Sequence, residues 1–326
     1  MKNLGTAATL LAIAIGCAER RAPPAAEPLT MAVGTLPHFA LVHVAQARGF
    51  FAAEGLSVTL QPYPFGKSAL AALIAGEADL ATCGTLPVVW AELHGDRLAL
   101  LASIATSTKS SAVVARKAAR ISVAADLKGK RIGVTRGTSG EYFLDTLLLR
   151  NWVEPSAVHV VDLAPDAMAG ALARGEVDAV ATWEPTLLGI QDRLGDAVIT
   201  FYEEALQAEV SVLVGLRGFG QRRPEVAKRA LRALGRAEAL FREQPDEARG
   251  TVGVALGDPS RAFDVALRKF EFQVRLDQGL LVLMENEARW ARSTTKTPNG
   301  PLPDFLEVLD PEPLLAVRAD AVGLIR

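Results

Sequence analysis

Cysteine, histidine and aromatic residues are scarce in this 326-residue sequence, and no stretch of it is markedly basic. Two cysteines and four scattered histidines offer too little material for a Cys/His zinc site or a disulfide scaffold. The aromatic content of 6% argues against a surface on which nucleic-acid bases stack. Lysine and arginine number 35 against 37 aspartates and glutamates, so neither nucleic acid nor an anionic membrane surface is an expected partner.

Hydrophobic residues, by contrast, make up 50% of the chain. This share is enough for a large core and excludes general disorder. At roughly 150 residues per domain, the length predicts two domains.

The N-terminal segment has the pattern of an export signal. Its mostly apolar run over residues 4–15 is shorter than the roughly 20 residues that span a bilayer. The run leads into Gly16-Cys17, a junction that resembles the lipobox of bacterial lipoproteins. We therefore predict a signal peptide over residues 1–16, lipidation of Cys17 and an extended tether over residues 17–28. An ordinary signal peptide with a chance cysteine is the alternative.

Short apolar strands alternate with helical segments along most of the chain, which is the pattern of parallel α/β sheets. Predicted strands cover residues 29–34, 56–60, 79–82, 98–104, 132–135, 159–163, 178–182 and 210–216. Predicted helices cover residues 39–54, 68–75, 87–94, 141–151, 166–174, 185–193, 224–243, 246–255, 260–268 and 278–290. We predict lobe 1 over residues 29–120 and 216–326, and lobe 2 over residues 121–215.

An internal similarity supports two related lobes. Residues 71–82 and 169–182 share a helix end, a Gly-Glu-x-Asp turn and a strand that ends in threonine. The two copies lie about 100 residues apart, which is the length of one lobe and too long for a solenoid repeat.

Several segments resemble the solute-binding proteins of ABC importers, in the branch that takes nitrate, sulfonate, taurine and thiamine-pyrimidine ligands. The segments are Ala45–Val58, Ala72–Asp79, Asp126–Val134, Gly137–Gly140 and Gly175–Pro185. The resemblance implies an α/β fold of the two-lobe periplasmic binding protein type II. Each lobe would hold a mostly parallel sheet flanked by helices, with the helical C-terminal tail on lobe 1.

The same resemblance implies a function. Together with the predicted lipidation of Cys17, it implies a monomeric lipoprotein, in the periplasm or at the cell surface, that captures a small polar or anionic ligand between its lobes. The protein would deliver this ligand to the permease and ATPase subunits of an ABC importer, and no catalytic residue, cofactor or metal is expected. Two alternatives stay open: an enzyme like the pyrimidine synthases of this branch, and a receptor that feeds a sensor complex.

The carboxyl ends of strands and the loops after them line ligand clefts in open α/β sheets. At these positions the candidate ligand-binding residues are Thr35, His38, Phe39, Gly66, Ser68, Thr82, Thr85, Arg136, Gly137, Thr138, Ser139, Trp183 and Glu184.

Thr138 and Ser139 precede a predicted helix and have two interpretations. Their side chains could cap the helix start, or the free N–H groups there could receive an anion. Arg136 could add positive charge to the site or point to solvent. The same choice holds in the first lobe, where Ser68 could contact the ligand or simply cap a helix beside a solvated Lys67.

Trp183 and Glu184 also leave two interpretations each. Trp183 could form a flat wall of the cleft or pack in the core. It is expected to be the tryptophan that reports ligand binding, whereas Trp90, Trp152 and Trp290 are expected to report little. The Glu184 carboxylate would repel an anionic ligand unless that ligand also carries an ammonium group, or else it faces a helix start and never meets the ligand.

Overall fold

A computed structural model describes residues 26–203, 208–294 and 300–325. The predicted signal peptide, Cys17 and most of the predicted tether therefore lie outside the described residues. Within the described ranges, no helix is both long enough and apolar enough to cross a membrane.

The strands are β1 (Glu27–Gly34), β2 (Leu56–Tyr63), β3 (Leu80–Gly84), β4 (Leu98–Ser107), β5 (Ser111–Arg116), β6 (Arg131–Val134), β7 (His159–Asp162), β8 (Ala179–Trp183), β9 (Val198–Phe201), β10 (Glu209–Leu216), β11 (Leu276–Asp277) and β12 (Val322–Gly323). The helices are α1 (Ala40–Ala47), α2 (Phe50–Ala53), α3 (Gly66–Ile74), α4 (Thr85–His94), α5 (Ser139–Arg150), α6 (Pro165–Arg174), α7 (Thr186–Leu194), α8 (Phe219–Arg222), α9 (Pro224–Glu243), α10 (Pro245–Leu256), α11 (Arg261–Leu267), α12 (Gln278–Thr294), α13 (Phe305–Val308) and α14 (Glu312–Val317).

Most of the described strands form two five-stranded sheets, in the orders β2-β1-β3-β10-β4 and β7-β6-β8-β5-β9. In the first sheet β1 is parallel to β2 and β3, and β10 is antiparallel to β3 and β4. The second sheet repeats these directions, with β6 parallel to β7 and β8, and β5 antiparallel to β8 and β9. The internal similarity in the sequence thus corresponds to two lobes of one topology.

The chain passes between the lobes twice, and the strand that follows each passage pairs within the lobe that the chain has just entered. Strand β5 pairs only within the second sheet, and β10 pairs only within the first. The chain therefore crosses between Ser107 and Ser111 and returns between Phe201 and Glu209. These crossings lie earlier than the boundaries 120/121 and 215/216 predicted from the sequence, because strand pairing across the sheet decides to which lobe a short apolar strand belongs.

The C-terminal helices pack on lobe 1, as predicted. Buried residues of α9, α10 and α12, among them Leu234, Val252 and Met284, share one core with Leu41 of α1. In lobe 2 the core lies on both faces of the sheet, with α5 on one face and α6 and α7 on the other. Both lobes are therefore layered α/β units.

The helix predicted over residues 39–54 is interrupted. Residues Pro37–Phe39 form a 3₁₀ turn, and α1 and α2 are separated at Gly49, whose φ of 66° lies in the left-handed region. Glycine adopts this conformation without the steric cost that a Cβ atom brings. The chain turns there, and the Phe51 side chain becomes buried against the core.

Candidate functional site

A narrow cavity lies between the lobes, where the strands end. The lining residues from lobe 1 are Leu36, His38, Phe39, Phe65, Gly66, Lys67, Gly84 and Pro87. Those from lobe 2 are Thr138, Ser139 and Trp183. Glu209, the first residue of β10, also lines the cavity. The cavity measures about 30 Å³, whereas typical ligand pockets measure about 300–1,000 Å³. The lobes are therefore close together, and a ligand of several atoms needs them to separate before it enters.

Helices α3, α4 and α5 begin at this cavity. Their N-cap residues are Phe65, Gly84 and Thr138, all with extended backbones, and none makes a capping hydrogen bond through its side chain. The first N–H groups of a helix have no partner within the helix, and the helix dipole adds positive potential there. Helix starts that converge without side-chain caps make this cavity suited to an anion.

The loop before α5 shows why Thr138 does not cap its helix. The Thr138 hydroxyl donates to the carbonyl of Thr135 at 2.6 Å. The Gly137 amide donates to Glu141 Oε2 at 2.7 Å, and the Arg136 guanidinium donates to Glu141 Oε1 at 3.1 Å. Arg136 is thus paired on the surface outside the cavity lining, while Ser139 stays in the cavity wall.

Lys67 connects the two lobes. Its ammonium group donates to the Arg136 carbonyl at 2.7 Å, and its side chain lines the cavity. Sequence analysis did not name Lys67 as a site residue and had it solvated in one of two interpretations, although its place next to the α3 start was a signal for an anion site. Among the described residues, Lys67 is the cationic side chain that lines the cavity in addition to the helix starts.

His38 presents an unpaired nitrogen at the cavity. The imidazole is 5% exposed, and its Nδ1 atom has no hydrogen-bond partner among the described residues. Burial lowers the pKa of His38 to about 3, so the ring is neutral at physiological pH. A neutral imidazole can donate one hydrogen bond and accept another.

Two buried glutamates lie near the crossing segments, and they differ in their partners. Glu184 is fully buried, forms an ion pair with Lys269 and accepts the Leu188 amide at 3.1 Å near the start of α7. It does not line the cavity, so of its two interpretations the structure favours the one that faces a helix start. Glu209 does line the cavity, and its Oε2 atom accepts the hydroxyls of Ser110 at 2.6 Å and Ser111 at 3.1 Å.

Burial raises the pKa of Glu209, and the nearby Glu184 carboxylate raises it further. Sequence analysis missed Glu209 because the predicted strand began at Val210 and because its role depends on pairing between distant strands. The apolar run of β10 carried no local signal for a site.

The structure brings some of the sequence-predicted residues together and not others. His38, Phe39, Gly66, Thr138, Ser139 and Trp183 line the cavity, whereas Thr35, Ser68, Thr82, Thr85, Arg136, Gly137 and Glu184 do not. Three of the latter make hydrogen bonds within lobe 1 instead: the Thr35 hydroxyl donates to the Tyr63 carbonyl, the Thr82 hydroxyl accepts the Gly34 amide, and the Thr85 hydroxyl donates to Glu287.

An aromatic contact also joins the lobes beside the cavity. The Trp290 indole N–H of α12 donates to Asp145 Oδ2 of α5 at 2.9 Å. The Trp290 ring lies 5.1 Å from the Tyr142 ring and 6.2 Å from the Trp90 ring, between centroids. Of the tryptophans expected to report little, only Trp152 is away from the lobe interface, with 97% of its surface exposed.

The described residues hold neither a candidate metal site nor an exposed thiol. They contain no group of three or more His, Cys, Asp or Glu side chains placed to hold a metal ion. Cys83 is a free thiol, and its complete burial raises its pKa, which makes it a poor nucleophile.

Sequence comparison gives a family and a similar curated protein. A model described as NMT1/THI5 like matches residues 36–248. The chain is 29% identical over 208 residues to the taurine-binding periplasmic protein of Escherichia coli strain K12, and this match covers 62% of the chain and 63% of that protein. The chain thus matches less than two thirds of the length of this relative.

Solved structures with the same architecture include both binding proteins and an enzyme. The periplasmic aliphatic sulphonate binding protein SsuA from Escherichia coli superposes with a TM-score of 0.75 at 19% identity, over 86% of this chain and 96% of that one. The desulfurization enzyme DSZB superposes with a TM-score of 0.66 at 20% identity, over 90% of this chain and 99% of that one. These likenesses confirm the predicted two-lobe type II fold, and the fold by itself does not separate binding from catalysis.

Proposed function

Because the chain belongs to the NMT1/THI5-like family, we propose that it is the extracytoplasmic solute-binding component of an ABC importer and that it binds a small sulfonate. The observation that carries this proposal is the convergence of Lys67 and the uncapped starts of α3, α4 and α5 on one cavity between the lobes. The similarity to a taurine-binding protein and to a sulphonate-binding protein supports the same ligand class.

A sulfonate suits this cavity because its single negative charge is spread over three oxygens that point in different directions. Backbone N–H groups at helix starts are fixed donors for such oxygens. The Lys67 ammonium supplies the opposite charge, and the neutral His38 ring and the Ser139 hydroxyl supply further hydrogen bonds. Trp183 closes the cavity with an apolar wall.

Binding and lobe closure are coupled in this proposal. The anion contacts groups from both lobes only when the lobes are together, so it binds the closed form more tightly and shifts the balance toward it. The closed form is then the state that a permease recognises. Lys67, which has three N–H donors, can hold the ligand and the Arg136 carbonyl at once.

We also propose that Cys17 carries a lipid that anchors the mature protein to a membrane, in the periplasm or at the cell surface, as a monomer. The Gly16-Cys17 junction after a short apolar run supports this anchor. Membrane fractionation together with the mass of the mature N-terminal peptide tests it. A soluble mature protein without a lipid-modified cysteine would remove this part of the proposal.

The two alternatives predict different observations. An enzyme of the pyrimidine-synthase kind needs an active site rich in histidine and lysine, whereas the described lining of this cavity offers one of each, His38 and Lys67. A receptor for a sensor complex would bind its ligand in the same way, and a neighbouring pair of permease and ATPase genes separates that case from a transporter.

Ligand screening by thermal shift tests the proposal directly. The mature protein is measured with taurine, ethanesulfonate, nitrate, bicarbonate and an aminopyrimidine. A ligand present at 100 times its dissociation constant raises the free energy of unfolding by about 2.7 kcal/mol. We expect stabilisation by at least one of the sulfonates. Stabilisation by the aminopyrimidine alone would contradict the proposed ligand class.

Lys67→Met tests the site within the same assay. The substitution keeps most of the apolar stem and removes the charge, so we expect sulfonate affinity to fall by about 10-fold or more. Lys228→Met is the matched control, because Lys228 lies on α9 outside the cavity lining and pairs with Glu225. Equal affinity in the wild type and Lys67→Met would place the anion elsewhere.

A further inference from the structure

We propose that the contact between Asp145 of α5 and Trp290 of α12 is a proton-dependent latch, in which protonation of Asp145 favours the closed form. The inference rests on the lobe closure of the proposed function and not on its ligand class. The observation behind it is a hydrogen bond across the lobe interface, which the Trp290 indole N–H of lobe 1 donates to Asp145 Oδ2 of lobe 2 at 2.9 Å.

Asp145 lies on the side of α5 that faces lobe 1. Tyr142, one turn earlier on the same helix, packs against the core of lobe 1, and its ring lies 5.1 Å from the Trp290 ring. Phe143 and Leu147, on another side of α5, belong to the core of lobe 2. Asp145 is only 7% exposed, so lobe 1 covers its carboxyl group, and separation of the lobes would return that group to water.

Burial between the lobes makes the Asp145 carboxyl group harder to ionise. It raises the pKa of Asp145 from 3.8 to about 6, and the hydrogen bond from Trp290 lowers the pKa by less. Within lobe 2, the Glu141 carboxylate raises the pKa further, and Arg136, which pairs with Glu141, lowers it. The balance of these effects favours the protonated acid in the closed form.

Helix α12 of lobe 1 adds a second acid to the interface. Glu287 lies one turn before Trp290 and is 2% exposed. Burial and the charge of Glu287 both raise the pKa of Tyr142 across the interface. The arginines of α12 on either side of Trp290, Arg289 and Arg292, bond to other residues of lobe 1.

Helix α4 of lobe 1 borders the same contact through Trp90, whose ring lies 6.2 Å from the Trp290 ring. His94 of α4 is close by, with its Nδ1 atom 2.7 Å from the Trp90 carbonyl oxygen. Within the described part of the chain, closure thus brings Asp145 and Glu287 together from the two lobes, and protonation of Asp145 relieves the cost of burying its charge.

Protons at Asp145 should therefore favour closure. In the open form the carboxyl group faces water and has its ordinary pKa of 3.8, whereas in the closed form the pKa is about 6. Between these values the closed form binds more protons, so acidification shifts the balance toward it. A ligand that binds the closed form then binds more tightly, by about 10-fold at pH 5.0 relative to pH 7.5 from this one group.

Calorimetric affinities for ethanesulfonate at pH 7.5 and pH 5.0 test the inference, since the charge of this ligand is constant over that range. The wild type is compared with Asp145→Asn, because asparagine resembles the protonated acid and does not titrate. We expect the variant to bind more tightly than the wild type at pH 7.5, and the wild type to gain about 10-fold relative to the variant at pH 5.0. His38 and Glu209 of the cavity are present in both proteins, so their effects cancel in this ratio.

Asp192→Asn is the matched control, since Asp192 is an exposed aspartate of α7. This variant should follow the wild type at both pH values. A ratio of wild-type to Asp145→Asn affinity that stays constant, or that falls on acidification, would overturn the inference. Asp145→Ser offers a second neutral side chain if Asp145→Asn does not fold.

A wrong ligand class gives a different pattern. If the wild type does not bind ethanesulfonate at either pH, small-angle X-ray scattering of the ligand-free proteins replaces the titration. A smaller radius of gyration for Asp145→Asn than for the wild type at pH 7.5, with a smaller difference at pH 5.0, would retain the latch and discard the sulfonate. Equal radii at both pH values would discard both.

Discussion

Glu287 shows how burial outweighs a hydrogen bond in setting the protonation state of a side chain in this protein. It lies on α12, where its Oε1 atom accepts the Thr85 hydroxyl at 2.8 Å, while Oε2 has no hydrogen-bond partner among the described residues. Burial raises the pKa of Glu287 from 4.5 to about 8. The folded protein therefore keeps this carboxyl group protonated at neutral pH, whereas the unfolded chain releases the proton above its ordinary pKa.

The sign of the resulting pH dependence follows from this difference. Between pH 4.5 and 8 the folded state binds more protons at Glu287 than the unfolded state does, so the free energy of unfolding falls as the pH rises. The slope from this one group is at most about 1.4 kcal/mol per pH unit.

Glu287→Gln removes this contribution, because glutamine resembles the protonated acid and does not titrate. We expect the variant to gain stability relative to the wild type as the pH rises from 5.5 to 7.5, by up to about 3 kcal/mol. Urea unfolding at both pH values measures the change. Glu285→Gln, on the half-exposed side of the same helix, is the control, and an equal gain in the control would contradict the assignment to Glu287.

At the scale of an element, the position of the α3 start depends on the absence of a side chain at Gly66. A Cβ atom there would lie 2.6 Å from the Cys83 Cα atom of β3 and 2.9 Å from the Phe39 ring. The first turn of α3 is therefore pressed against the sheet, and this contact holds its N–H groups at the cavity.

Gly66→Ala should push the α3 start away from β3, since the nearest obstacle is backbone and cannot rotate aside. We expect the free energy of unfolding to fall by about 1–3 kcal/mol and sulfonate binding to weaken. Gly235→Ala is the opposite case, because a Cβ atom at this position of α9 would meet no neighbouring atom within 4 Å. We expect this substitution to raise the free energy of unfolding by about 0.5–1 kcal/mol. Thermal unfolding and calorimetry measure both variants, and unchanged stability in Gly66→Ala would show that the contact relaxes freely.

The sequence predicted the elements that carry local signals. The βα units of both lobes appear in the structure with shifts of a few residues, because apolar periodicity and glycine stops are local. Strands β5 and β9 were missed, and the lobe boundaries were displaced, because a short strand is assigned by its partners across the sheet. The site follows the same division. The helix behind Thr138 and Ser139 was predicted, although it begins at Ser139 and not at the predicted Glu141. Glu209 and the Lys67 contact to lobe 2 were not predicted, because they depend on distant parts of the chain.

For the whole molecule, the contacts between the lobes predict which tryptophan responds to the lobe closure proposed above. Trp290 of lobe 1 donates to Asp145 of lobe 2, and its ring packs at a tilt against the Tyr142 ring. Separation of the lobes would break this hydrogen bond and expose the indole to water. Trp183 lies in the cavity wall and should also respond to the ligand.

Trp290→Phe should therefore remove a large part of the change in tryptophan emission that a sulfonate produces, with Trp183→Phe removing most of the remainder. Trp152→Phe is the control, since this exposed residue lies away from the interface and should leave the change intact. Fluorescence titration with taurine or ethanesulfonate measures the effect. A full emission change in Trp290→Phe would mean that the contact with Asp145 persists in the open form.

The two passages of the chain between the lobes set the order in which the lobes can be completed during synthesis. All strands of the second sheet lie within residues 111–201, so that sheet has every component as soon as this continuous stretch exists. The first sheet begins earlier in the chain but needs β10 between β3 and β4. Until residues 209–216 have been made, both of those strands present an unpaired edge. Lobe 1 is therefore the first to begin and the last to be finished, and an unfinished chain would expose that gap to any other strand able to fill it.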